Sequence, residues 1–232
     1  LLIGYRLLPL VFAYLRDRHR FVLVGRPRNP STVTHRRRAR YVRSVLVELG
    51  PTFVKLGQLL SSRPDAVPAA YVSVLSALQD QVPPADWSDV REVIATEVGP
   101  VETSFERFDA DPISGASLGQ VHEATFDGER VAVKVLRPGV RLRVAIDLEV
   151  LGTLLALWTA IAPPAQARAF RRVFDEFVTT IHEEMDFEHE AAMLAEIGAT
   201  VDPEAVIVPS VIERRSTARV LTMEFVPGTK VT

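Results

Sequence analysis

The chain has 232 residues, 47% hydrophobic and 24% charged, and no cysteine. That composition supports one large domain or two small ones with a sizeable apolar core, and it excludes disulfides and Cys-ligated zinc or iron–sulfur sites. The net charge of −2 conceals an asymmetry: residues 1–43 hold eleven arginines and one acid, whereas the remainder holds 16 bases and 28 acids. Such a basic arm is suited to an anionic partner: lipid headgroups, nucleic acid or the chain's own acidic part.

The first elements are helical. Leu1 to Leu15 is an apolar stretch interrupted by Arg6 and followed by Arg16-Asp17-Arg18-His19-Arg20. It is short for a bilayer-spanning helix, which needs roughly 20 residues. An interfacial helix with a basic flank and a core helix both fit. Gly25 to Ser31, with Pro27 and Pro30, reads as a linker. Arg36 to Leu49 then predicts a helix with Val42, Val45, Leu46 and Leu49 at helical spacing. Gly50-Pro51 stops it and restarts another from Thr52 to about Ser62. Tyr71 to Gln79 and Trp87 to Val98 are the next helices, the latter capped by Asp86 or Ser88.

From Phe105 the pattern changes to strands. Phe105 to Ile113, Gly119 to Phe126 and Arg130 to Leu136 read as three of them, with Asp127-Gly128 as a hairpin turn. Arg141 to Trp158 is a helix whose apolar half is too short to span a membrane. After Pro163-Pro164 comes a long helical region, Gln166 to Ile197, with Phe170, Phe174, Phe177 and Ile181 on one stripe. Val206 to Val211 and Ala218 to Phe225 complete a set of five strands.

Two groups of residues carry chemistry. The small-residue loop Ser114-Gly115-Ala116-Ser117-Leu118-Gly119-Gln120-Val121 precedes a strand pair whose second member holds Lys134 in Val131-Ala132-Val133-Lys134-Val135. Loop, strand, turn and lysine-bearing strand is the order by which a protein kinase covers ATP phosphates and grips them with an ammonium group. On the glycine-rich pattern G-x-G-x-x-G-x-V, Ser114, Ala116, Gly119 and Val121 occupy the fixed places, with two glycines replaced. A tight hairpin and an edge-strand lysine are the plain alternatives. A kinase lysine needs a helix glutamate, and Glu183 to Glu190 holds five acids in eight positions. Glu190, before the small pair Ala191-Ala192, is the one expected to pair with Lys134. Glu184 and Glu190 lie about 240° apart on an uninterrupted helix, so a break or cap near Asp186 is expected. His182 and His189 read as surface or capping residues. The second group is Lys55-Leu56-Gly57-Gln58: Lys55 and Gln58 share a helix face, and Gly57 clears space for a backbone, a ligand or a packing partner.

These motifs together resemble the UbiB/AarF family of atypical protein-kinase-like proteins, from about Arg36 onward. The resemblance rests on Lys55-x-Gly57-Gln58, Ser62-Arg63-Pro64-Asp65, Leu78-Gln79-Asp80-Gln81-Val82-Pro83-Pro84 and Ala116-Ser117-Leu118-Gly119-Gln120-Val121-His122. It continues through Val131-Ala132-Val133-Lys134 with Arg137-Pro138-Gly139, Glu184-x-Asp186 with Glu190-Ala191-Ala192, and Leu221-Thr222-Met223-Glu224-Phe225-Val226-Pro227-Gly228. It implies that Lys134 pairs with Glu190 and contacts ATP, alongside Ile113 to Val121. It also implies that Met223, Glu224 and Val226 form the hinge against adenine. Lys55, Gly57 and Gln58 would belong to an extension folding over the active site, with Glu184 and Asp186 as its partner motif.

The expected fold is therefore α+β: an arm (1–34), a helical extension (35–104) and a kinase-like N-lobe with a five-stranded antiparallel sheet (105–232). The catalytic aspartate and magnesium ligands are expected in a second lobe beyond Thr232, leaving no metal site in this stretch and no phosphoryl transfer by it alone. The function implied is the ATP-binding half of an atypical kinase or ATPase serving isoprenoid quinone or lipid metabolism. The expected setting is peripheral, on the cytoplasmic side of a membrane, with ATP and Mg2+ as cofactors and anionic or isoprenoid lipid as partner. The rival is a catalytically silent lipid-binding or scaffold module. Nucleic acid is not expected, because no stacking platform or recognition helix accompanies the arginines.

Overall fold

The computed structural model describes residues 31–64, 67–78, 83–160 and 162–228. The apolar stretch Leu1 to Leu15 and its basic flank lie outside them, as do Asp65, Gln79 to Val82 and the last four residues. In chain order the described elements are α1 (Thr32–Leu49), α2 (Pro51–Ser61), α3 (Ala69–Leu75), α4 (Trp87–Val98) and α5 (Val101–Ser104). Strands β1 (Arg107–Phe108), β2 (Ser114–Gly115), β3 (Gly119–Phe126) and β4 (Glu129–Leu136) follow, then α6 (Val140–Thr159), α7 (Pro164–Glu184), α8 (Phe187–Thr200), a 3-10 turn (Glu213–Arg215) and β5 (Val220–Glu224). The chain divides into two compact units: residues 1–81 with 146–177, and residues 82–145 with 178–232.

The first unit is helical. Ser31 caps α1 by accepting the Thr34 amide at 3.4 Å, and the helix ends at Gly50, whose φ of 107° suits glycine. Pro51 then opens α2 at a position where no amide donor is needed. Val45, Leu46, Leu49, Phe53, Leu75 and Leu78 form the core, with Leu151 of α6 packed on it. Thr52 is fully buried, and its hydroxyl is satisfied by Asp147 Oδ2 at 2.6 Å. The space beside Gly57 is taken by side chains. A Cβ there would lie 2.8 Å from Leu46 Cδ1 and closer still to Leu78 Cδ1, so any larger residue would require both leucines to shift.

The second unit is built on an antiparallel sheet of order β1-β3-β4-β5, with β2 also paired to β3. The Asp127-Gly128 turn joins β3 to β4 with both residues at positive φ, the backbone that a two-residue hairpin requires. One sheet face is packed by Val90, Val93 and Ile94 of α4 against Ala124, Phe126, Val131, Val133, Val135 and Val220. Helix α4, grouped by sequence with the helical extension, thus supplies the sheet's own core.

Two strand expectations need correction. Phe105 to Ile113 is not a continuous strand: only β1 (Arg107–Phe108) forms within it, and β2 follows at Ser114–Gly115 in the small-residue loop, on the same edge of β3. Asp109 turns the chain between them by accepting the Asp111 amide at 3.1 Å, and Pro112 has no amide to donate. Val206 to Val211 forms only an isolated bridge, Val211 to Met223. Its start is consumed by a turn, with the Ala205 and Val206 amides both donating to the Asp202 carbonyl, and Pro209 interrupts the rest. The fifth strand is β2, formed inside the small-residue loop, and not the expected Val206 to Val211.

Candidate functional site

Strand β4 alternates: Val131, Val133 and Val135 point into the core, which turns Ala132 and Lys134 to the opposite face. Register places Val121 and Leu221 beside Lys134, and Glu123 and Met223 beside Ala132. Around Lys134 this face carries Val121, Ala132, Leu221 and Met223, and further along the strand Arg130 pairs with Glu123 at 2.8 Å. Lys134 Nζ donates to Glu190 Oε1 at 2.8 Å and Oε2 at 2.5 Å, and it lies 4.8 Å from the centroid of the Phe187 ring. Their side chains keep 24% and 34% of their exposure, so the ammonium is partnered yet still reachable from solvent.

The glutamate is in place because the long helical region breaks. Helix α7 ends at Glu184, and the Met185 and Asp186 amides close back on His182 and Glu183. Asp186 takes extended backbone and caps α8, accepting the Glu188 amide at 3.1 Å. Glu188 and Glu190 then occupy the first turn, where the helix dipole favours carboxylates. Two donors hold the break against the entry to β5. The Phe187 amide donates to the Ala218 carbonyl at 3.3 Å. Arg141 Nη2 bridges Met185 O at 3.0 Å and Ala218 O at 3.1 Å.

The loop before β3 is closed by the Ala116 amide on the Gly119 carbonyl at 2.9 Å. A Cβ on Gly119 would come within 3.1 Å of the Val135 carbonyl and 3.5 Å of Phe187 Cζ; close backbone approach is why glycine stands there. Ser117 and Leu118 are buried, whereas Ile113 and Ser114 are exposed. Behind the loop, Arg137 Nε donates to Ala116 O at 3.1 Å and Nη1 to Pro83 O at 2.7 Å. Gln120 faces the other way, into a buried polar chain. The Ala85 amide donates to its Oε1 at 2.9 Å, and its Nε2 donates to His122 Nε2 at 2.8 Å. That leaves the proton on His122 Nδ1, donated to the Asp109 carbonyl at 2.8 Å. Gln120 is therefore structural rather than part of the phosphate loop.

Of the remaining residues, Met223 and Glu224 end β5 and Val226 lies exposed beyond it. Glu184 is half-buried. Lys55, Gly57 and Gln58 lie on α2 of the first unit, where Gln58 Nε2 donates to Leu78 O at 2.9 Å. His182 and His189 are exposed. Among the described residues there is no group of three or more His, Asp or Glu placed to hold a metal ion. Arg137 and His122 went unassigned in the sequence reading; their partners lie 21, 54 and 13 residues away, beyond the reach of any local pattern.

Comparison with known proteins agrees with this geometry. The family model described as ABC1 atypical kinase-like domain matches residues 77–232. The chain is 40% identical over 198 residues to Protein ACTIVITY OF BC1 COMPLEX KINASE 8, chloroplastic, of Arabidopsis thaliana, covering 83% of the chain and 26% of that relative. It is 38% identical over 207 residues to a probable protein kinase UbiB of Xylella fastidiosa, covering 87% and 37%. A solved structure, the complex of Rv3197 with erythromycin from Mycobacterium tuberculosis, superposes with a TM-score of 0.56 at 30% identity, over 84% of this chain and 50% of that one. The chain thus spans about a quarter to a half of the proteins it matches.

The buried histidine generates a pH dependence. Burial pushes the His122 imidazole below the usual histidine range, against the raising effect of Asp109 and Asp111. In the unfolded chain the ring takes up its proton near its ordinary pKa of about 6.5. The folded chain resists that proton, so its stability is full above about 6.5 and falls as the pH drops below it. Urea unfolding at about pH 7 and about pH 5.5 should show this loss, and a His122→Gln variant should lose less over the same interval. An equal loss in the variant would assign the dependence to other groups.

Proposed function

Because this chain belongs to the ABC1 atypical kinase-like family, we propose that its second unit holds the phosphates and base of ATP on the Lys134 face of the sheet. The observation that carries the reading is the Lys134–Glu190 pair: a lysine flanked by Val121, Ala132 and Leu221, tethered at 2.5 and 2.8 Å yet open to an anion. Lys134 would neutralise phosphate charge, and Glu190 would keep its ammonium from collapsing onto the sheet. Ala132, Val121 and Met223 offer an apolar surface for the base, with Glu224 and Val226 at its edge. The loop Ser114 to Gly119 contributes amide donors: Ser117 and Leu118 donate no backbone hydrogen bond to any described residue. ATP fits these residues. A magnesium ion would shield phosphate charge in such a family, but the described residues offer it no ligand set, so the ion's ligands are not assigned. Lys55, Gln58, Glu184 and Asp186 carry the family's remaining motifs.

In the whole protein this unit would be the nucleotide half of a UbiB-type kinase or ATPase. Its work would support isoprenoid quinone or lipid metabolism, on the cytoplasmic side of a membrane. The arginines of residues 1–43, against one acid, support a peripheral attachment worth about 1 kcal/mol per basic residue near an anionic surface. No described helix is long and apolar enough to cross a bilayer.

Two experiments test this reading. Titration of the chain with a fluorescent ATP analogue should show weak, saturable binding that Lys134→Met weakens about tenfold or more; unchanged affinity in the variant would refute the site. Co-sedimentation with vesicles should require anionic lipid, weaken with added salt and be lost from a chain lacking residues 1–43. Equal binding without that arm would move the lipid contact into the folded units.

A further inference from the structure

We propose that Arg137 is a positioning residue for the phosphate loop, orienting the peptide that presents the Ser117 amide. The inference rests on the nucleotide reading above. Three donors of one residue meet three carbonyls: the Arg137 amide donates to Leu118 O at 2.9 Å, Nε to Ala116 O at 3.1 Å and Nη1 to Pro83 O at 2.7 Å. The residue is only 8% exposed, so this guanidinium is committed to the lobe and is not a surface charge awaiting a ligand.

Peptide geometry supplies the rest. No described peptide is cis, and in a trans peptide the carbonyl and the following N–H point in opposite directions. Arg137 holds the Ala116 carbonyl against itself, and so it turns the Ser117 N–H outward from the side on which Arg137 lies. The Gly119 carbonyl is already occupied by the Ala116 amide at 2.9 Å. The loop's carbonyls at 116, 118 and 119 are thus all retained by the protein. Those three carbonyls therefore do not compete with the amides of Ser117 and Leu118 for an anion.

Arginine is suited to the task in a way that lysine is not. Nε and Nη1 lie in one rigid plane and can satisfy two separate carbonyls at once, whereas a single ammonium on a flexible stem leaves one unmet. The placement also matters. Arg137 directly follows β4, so the phosphate-gripping Lys134 and the loop-holding Arg137 ride on one rigid segment. Through Pro83 the same side chain fastens the loop to the first residues of the second unit, where the Ala85 amide is fixed separately by Gln120.

The test uses Arg137→Lys and Arg137→Gln in the whole 232-residue chain, with Lys134→Met as the comparison. Melting temperature is measured for each, and the variant that keeps the wild-type value is carried forward. Without nucleotide, the amide NMR signals of Ser117 and Leu118 should shift in the Arg137 variant and stay in place in Lys134→Met. With ATP, affinity should fall about fivefold to tenfold in the Arg137 variant, the effect of misorienting one donor to a charged group. Unshifted loop amides, or wild-type affinity in an Arg137 variant while Lys134→Met binds poorly, would overturn this proposal alone. Absence of ATP binding by the wild-type chain would overturn the nucleotide reading itself, and this proposal with it.

Discussion

A helix that runs straight cannot bring both acidic motifs of this chain to useful places, and the second unit is organised around that constraint. Glu184 and Glu190 would sit about 240° apart on a continuous helix. The chain resolves this by ending α7 at Glu184 and restarting at Phe187, with Asp186 as the cap. Arg141 and the Phe187 amide both fasten the break to the Ala218 carbonyl at the entry to β5. Glu190 then meets Lys134, and the Phe187 ring lies beneath the ammonium and beside Gly119. Lysine, loop glycine and glutamate therefore depend on one short segment.

The energetic logic differs on the two faces of the sheet. On the core side, apolar side chains from three strands are sealed by α4, and the polar chain Ala85–Gln120–His122–Asp109 is satisfied link by link. Removing one link leaves a buried donor or acceptor unpaired, at a cost of about 1–3 kcal/mol. On the Lys134 face the ion pair is partly solvated, and such pairs contribute only about 1 kcal/mol or less to stability. Rigidity comes from the first face; the second keeps its charge available for an anion.

Much of this was legible in the sequence. The Gly50-Pro51 junction, the Asp127-Gly128 turn, the alternation around Lys134 and the break near Asp186 each follow from local rules about glycine, proline, pleat and helix pitch. The choice of Glu190 rests on the small residues after it, and the break near Asp186 on helix pitch. What could not be read was long-range. Nothing near Arg137 signals that it serves Ala116 and Pro83, and nothing near His122 points to Asp109. Phe105 to Ile113 and Val206 to Val211 misled because apolar and branched residues outweighed Pro112 and Pro209. In both stretches a side-chain or backbone turn had already used the amides a strand would need. Gly57 was read as room for a backbone, a ligand or a neighbour, and the room is filled by two leucines.

The central claim is that Glu190 acts on an anionic ligand only through Lys134. A double-mutant cycle measures this directly: ATP affinity of the wild-type chain, Lys134→Met, Glu190→Gln and the double variant, with unfolding midpoints recorded for all four. The account predicts that each single change weakens binding and that the double variant binds no more weakly than Lys134→Met. Losses that simply add would show that the two residues act separately, and would contradict the account.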